Sequence, residues 1–246
     1  LAGRDLRREA AELLNRYLEQ SPRDEQALAL LTRAAPEQAV GRLFQRLQEE
    51  SETVSELREE LAPLWEALGM RSAPRLNGLK GMLRQEALRN VLRSAQADGM
   101  DPEKILASLT ELRDREESRV STAQQLLEAM DAAAEADEAA WREKSAALAR
   151  KVISWDPSRV APYQALAAQD RDEALQAIDR VVARTGGSAS LYQQYARMLL
   201  DAERKEDAAE KAMQAVRIKP EWPGSYEILA QADLEQAVML ISRVVF

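Results

Sequence analysis

Three observations make this an all-α chain before any element is placed. Alanine, leucine, glutamate and arginine dominate its 246 residues while aromatic residues make up 4%, a balance that favours helices and serves a sheet poorly. Apolar residues recur at intervals of three and four through most segments, the period of an amphipathic helix. One short pattern also returns: residues 28–40, 163–175 and 226–238 each set an apolar or aromatic anchor (Leu28, Tyr163, Tyr226) 11 residues before an alanine (Ala39, Ala174, Ala237). Recurrence of this kind predicts stacked helical hairpins, each burying a face on the next.

In chain order, Leu6, Ala10, Leu13, Leu14, Tyr17 and Leu18 predict a first helix, stopped by Ser21 and Pro22. Ala10, Leu14, Tyr17 and Pro22 share the spacing of Ala208, Ala212, Ala215 and Pro220 far downstream, so this helix reads as the second of a hairpin. With the first copy of the short pattern it makes residues 1–50 a section of repeat-like hairpins. Residues 51–137 depart from that order. Thr53 and Glu56 have capping-box spacing and predict a helix start, the helix running through Leu57, Leu61, Leu64, Trp65 and Leu68 to Gly69 and being kinked or broken at Pro63. Ser72 and Pro74 predict the next start, and Leu76, Leu79, Leu83, Leu88, Val91 and Leu92 one helix ending at Asp98 and Gly99, with Gly78 and Gly81 weakening its first turns. Asp101 followed by Pro102 is an N-cap with proline in the first turn. From there to Asp137 the sequence fits one long helix or two broken near Ser118, where the charged run 111–119 interrupts the apolar spacing. Regular order returns over residues 138–246. Ser145, Ala149, Val152 and Pro157 repeat the downstream spacing, a short copy follows, Gly186 and Gly187 predict a left-handed cap, and a longer hairpin over 189–222 precedes the last short copy.

In that longer hairpin Tyr192, Tyr195, Ala196 and Leu199 share one face of a first helix, Ala208, Ala212 and Ala215 share one face of a second, and Pro220 ends it. This order resembles the tetratricopeptide repeat, whose period is about 34 residues. Tyr192 stands in the tryptophan slot, Tyr195 in the leucine slot, Ala196 in the glycine slot and Leu199 in the late tyrosine slot. Tyr192 and Ala208 are 16 apart where the short copies have 11, so the short copies lack five residues in the turn and the end of the first helix. The resemblance implies a right-handed α-solenoid of about twelve or thirteen helices, with 51–137 an irregular section of it. It also implies that first helices line a concave face, exposed at the second, fifth and ninth repeat positions. Those positions are Ser190, Gln193 and Arg197 in the long repeat, and in the short ones Gln26, Ala29 and Arg33, then Ala161, Gln164 and Ala168, then Gly224, Glu227 and Gln231. Chaperone-binding members of the family hold a peptide carboxylate with Lys and Asn at such positions; neither type occurs in this set, so no carboxylate clamp is expected.

Composition narrows the function classes. The net charge of -8 comes from both signs mixed along the chain, with no basic stripe for nucleic acid. Without cysteine or histidine there is no disulfide, thiol or imidazole chemistry, and nearly every zinc, copper or haem site is excluded. No phosphate-binding loop or nucleophile elbow occurs. The adjacent acids Glu49 and Glu50, Glu59 and Glu60, and Glu116 and Glu117 point about 100 degrees apart on a helix, so solvated faces are expected rather than a catalytic pair. Trp65, Trp141, Trp155 and Trp222 are expected as core or inter-repeat plugs. No enzyme activity and no cofactor is expected. No stretch reaches the roughly 20 apolar residues of a membrane span, so no insertion of this segment is expected, and no signal peptide is visible. Leu1 in place of methionine, and a last helix cut within the apolar face of Val238, Ile241, Val244, Val245 and Phe246, predict a piece of a longer chain. Arginine- and alanine-rich usage, missing cysteine and uneven repeats are similar to bacterial scaffolds of exopolysaccharide secretion, the Pel and alginate export types. That likeness implies a periplasmic array that recruits one or more proteins. The alternatives are a substrate-positioning arm of a larger cell-envelope enzyme and a cytoplasmic peptide-binding module.

Overall fold

The computed structural model describes residues 2–134 and 138–245. Among them are fourteen α-helices and no strand. The chain divides into two compact units, Leu1–Trp141 with Ser154–Asp156, and Arg142–Ile153 with Pro157–Phe246.

The first unit holds α1 (Ala2–Gln20), α2 (Glu25–Ala34), α3 (Pro36–Glu60), α4 (Ala62–Ala67), α5 (Leu76–Met82), α6 (Gln85–Ala97) and α7 (Pro102–Ala133). Here α7 packs along α3 and also touches α2, α5 and α6. Val54, Leu57, Leu61, Leu64 and Trp65 meet Leu79, Val91, Ala95, Leu109 and Leu112 in one buried cluster. The second unit takes most of α8 (Glu138–Trp155) and then α9 (Ala161–Gln169), α10 (Arg171–Thr185), α11 (Ala189–Asp201), α12 (Lys205–Ile218), α13 (Pro223–Ala232) and α14 (Leu234–Val245). From α9 onward each helix packs on its successor, and α11 also packs on α13.

The recurring pattern has one structural form. In each short copy the two helices are joined by a single extended residue: Ala35 at φ -151°, Asp170 at φ -146° and Asp233 at φ -150°. Their first helices span 10, 9 and 10 residues, against 13 in α11. The five missing residues are therefore taken from the end of the first helix and from the turn. Asp170 and Asp233 also cap the helix that follows, each accepting a hydrogen bond from a backbone N–H three residues on. The alanines Ala39, Ala174, Ala208, Ala212 and Ala215 are fully enclosed, because only a small side chain lets two helix axes approach this closely. Ser145, Ala149 and Val152 of α8 are buried likewise.

Several expectations are corrected. The capping box at Thr53 does not open a helix: α3 runs from Pro36 through residues 50 and 51 to Glu60, and Thr53 Oγ1 donates back to the Glu49 carbonyl at 3.1 Å. A preceding turn already supplies the acceptors for its N–H groups, so a cap has nothing to satisfy. The break expected at Pro63 is present, falling at Leu61 with Pro63 in the first turn of α4. The helix expected from Ser72 to Asp98 starts later, behind Arg75, and divides into α5 and α6 at Leu83 and Arg84. Two glycines within the seven residues of α5 leave that segment too weak to hold one axis. Its end is as expected, with Gly99 at φ 77°, as is the cap at Gly186, φ 78°. The open choice over residues 102–133 resolves to one helix, α7. In α1 the buried line is Ala11 and Leu18, while Tyr17 is 49% and Leu13 66% exposed and Ala10 is exposed too. The packed face is thus rotated one residue from the expected register. Val238 and Ile241 of α14 are exposed; the side chains of Val244, Val245 and Phe246, and the section boundary at residue 137, lie outside the described residues.

Candidate partner-binding surfaces

In the first unit the polar chemistry concentrates between α3 and α7. Glu116, 1% exposed, accepts from the Arg58 guanidinium, with Nε at 3.0 Å, and pairs through its other oxygen with Arg119. The Arg119 guanidinium lies 4.2 Å from the centre of the Trp155 ring. Burial pushes its pKa down and Glu116 pushes it back up, with Arg58 opposing. Glu50, 4% exposed, accepts from Arg46 Nε at 3.0 Å and from Ser118 Oγ at 2.6 Å. The expectation that these paired acids form solvated faces is therefore corrected for Glu50 and Glu116. The 100-degree offset turns one member of each pair inward, and an arginine on the same or facing helix makes that burial tolerable. It also explains why the charged run does not break α7: Glu111 pairs with Arg115, Asp114 with Arg113, and Glu117 with Lys80.

Above this layer runs a groove made of three joined clefts. The first, 650 Å³, is lined by Arg23 and by Thr110, Glu111, Asp114, Arg115 and Ser118 of α7. The second, 380 Å³, shares Arg23 and Arg115 and adds Arg42, Arg46, Glu49 and Glu50. The third, 350 Å³, shares Leu28 and Leu43 with the second and is bordered by Thr32, Arg33, Gln125 and Glu128. From Glu103 to Glu128 the floor on α7 extends for about 38 Å at the helical rise of 1.5 Å per residue. Arg46 Nη1 and Glu50 Oε2, in side chains that line the second cleft, and Gln125 Oε1, in one that lines the third, are enclosed with no hydrogen-bond partner among the described residues.

The eight singled-out residues fall in both units. Gln26 and Arg33 are exposed on α2, and Arg33 borders the third cleft. Gln164 of α9 donates to Gln194 of α11 at 3.0 Å, so its amide links two first helices. Ser190 and Gln193 are half-buried on α11, and the Gln193 amide covers Gly224, where an added Cβ would collide with Nε2. Arg197 is exposed and forms no hydrogen bond or ion pair among the described residues. Glu227 and Gln231 are exposed on α13, and Glu227 borders a 550 Å³ cleft walled by Pro220, Pro223, Tyr226 and Ile241. Structure thus brings Gln164, Gln193 and Arg197 onto neighbouring first helices of one unit and leaves Gln26 and Arg33 in the other.

Next to these residues, Tyr195 donates to Asp179 Oδ1 at 3.0 Å, joining α11 to α10. Burial first, and then the Asp179 carboxylate, push its phenol up to about 12. The groove on α7 is the feature that periodicity alone passes over. Its trace in the sequence is the polar line Glu103, Thr110, Asp114 and Ser118 at helical spacing, which defines a face and leaves its covering helix undefined. Compared with known proteins, the chain matches no family model and no curated protein.

Proposed function

We propose that the chain is a non-catalytic scaffold for protein–protein interaction, built as a right-handed α-solenoid of tetratricopeptide-like hairpins, and that it binds its partners through polar first-helix surfaces. The observation that carries this reading is the threefold return of one hairpin form: a short first helix, one extended residue and an enclosed alanine, with a longer hairpin between the last two copies. Repeat stacks of this kind contact only their neighbours along the chain and offer extended concave surfaces for binding. Within this reading the partners belong to a bacterial polysaccharide-secretion machine and the compartment is the periplasm. A second reading, a peptide-binding regulatory module of the cytoplasm, is favoured by the groove on α7. At about 3.4 Å per extended residue, its 38 Å would take roughly eleven residues of chain.

Co-purification of the chain from a bacterial host, followed by titration of whatever protein comes down, tests the proposal. Arg33→Glu and Arg197→Glu should each weaken that partner, since each reverses a charge with no internal pair. Affinity unchanged by both substitutions would remove the first-helix surface from the account.

A further inference from the structure

The geometry points to the second cleft of the groove as a binding site for an acidic peptide segment of a partner, one that places a side-chain carboxylate among arginines and a backbone N–H against Glu50. This deepens the scaffold reading and rests on it. Four guanidinium groups and two carboxylates line the cleft, an excess of positive charge in a chain whose net charge is -8. Arg23 forms no hydrogen bond or ion pair among the described residues. Arg42 spends its donors on neutral oxygens, Asn15 Oδ1 at 2.6 Å and the Asn15 carbonyl at 3.0 Å. Arg46 and Arg115 have acidic partners, Glu50 and Glu111, but the Arg115 contact is long at 3.3 Å. Guanidinium groups gathered this way call for an oxyanion, which accepts their forked N–H groups.

A peptide fits better than a free anion. Arg46 Nη1 is a donor without a partner, and Glu50 Oε2, in a side chain 5% exposed, is an acceptor without one. Phosphate or sulfate would satisfy the first and repel the second. A segment with an acidic side chain and its own backbone N–H satisfies both, and Pro22, Leu28 and Leu43 give its neighbours an apolar wall. The chain's overall negative charge does not forbid this, because beyond about 8 Å it is screened at physiological salt. The residues lie on α2, α3, α7 and the turn before α2, not at the first-helix positions set out for Arg197 and its neighbours.

The test is fluorescence anisotropy with the 246-residue chain and a labelled, end-capped peptide of roughly eleven residues alternating Glu and Ser, its Gln-for-Glu counterpart as control. Binding of the acidic peptide only, weakening as salt rises, and falling about tenfold for Arg23→Gln is the expected result, a loss equivalent to one charge-assisted contact. Arg23 has no internal partner, so that variant keeps its fold; Arg46→Gln, checked by circular dichroism, should lose binding as well. Equal binding of both peptides, full affinity in Arg23→Gln, or displacement by inorganic phosphate at constant ionic strength would each overturn the assignment. No binding of the acidic peptide, beside a co-purified partner that still weakens with Arg197→Glu, sinks this inference and leaves the scaffold reading standing. Loss of partner binding on Arg23→Gln but not on Arg197→Glu supports this inference and moves the scaffold's contact from the first-helix surface to the groove.

Discussion

Gly187 and Tyr192 show how single residues set the entry to the longest repeat. Gly187 sits at φ 64°, and a Cβ there would lie 2.9 Å from the Tyr192 ring. Gly187→Ala should therefore cost about 1–2 kcal/mol from the backbone alone, read as a lowered denaturation midpoint. Tyr195 gives a pH signature. The folded chain holds its phenol proton up to about 12, whereas an unfolded tyrosine releases it near pH 10. Between these values the folded state binds more protons than the unfolded one. The contribution to stability is thus complete below pH 10 and is lost as pH rises through about 12. The phenolate absorbance of the chain minus that of Tyr195→Phe should show one tyrosine titrating late; a difference curve centred on pH 10 would contradict the buried bond to Asp179.

Helices were read from the sequence to very different depths. Where hairpins recur, the alanine spacing fixed both partners, because a small residue repeated on one face names the side that another helix approaches. Where they do not recur, pattern alone misled: Thr53 has the spacing of a cap but the helix was already under way, and α5 and α6 share one apolar line although the axis breaks at Leu83 and Arg84, after two glycines in α5. The long helix α7 was legible as a helix but not as a groove. Its Glu116, Glu117 and Ser118 are partnered by Arg58, Lys80 and Glu50, which come from segments far away in sequence. Two substitutions test the packing so described. Glu116→Ala leaves Arg119 buried beside Arg58 without its acid and should cost about 3–5 kcal/mol, measured by chemical denaturation. Ala212→Leu forces three further carbons into an enclosed helix contact and should cost about 1–3 kcal/mol; a neutral result would mean that α12 is not held at alanine distance.

At the scale of the whole molecule, the proposed repeat stack would have a stability close to a sum of units and nearest-neighbour contacts, and the chain does divide into two compact units. Damage should then stay local. Ala212→Leu should raise amide hydrogen exchange in α11 to α13 while leaving the α3 and α7 amides at wild-type protection; uniform loss of protection would instead indicate one cooperative block. The candidate surface was partly legible at this scale too. Repeat register located Arg33, Arg197 and Glu227 as exposed, but it also counted Gln164, whose amide bonds to Gln194 on another helix, and Gln193, whose amide lies over Gly224. The proposed scaffold binds its partners without altering them chemically. Its most direct test is a titration of the co-purified partner against wild type, Arg33→Glu and Arg197→Glu, with the partner's covalent mass followed throughout. A loss of about tenfold or more on charge reversal, with the partner's mass unchanged, is the predicted result. Undiminished affinity in both variants, or a partner chemically altered by the chain, would contradict it.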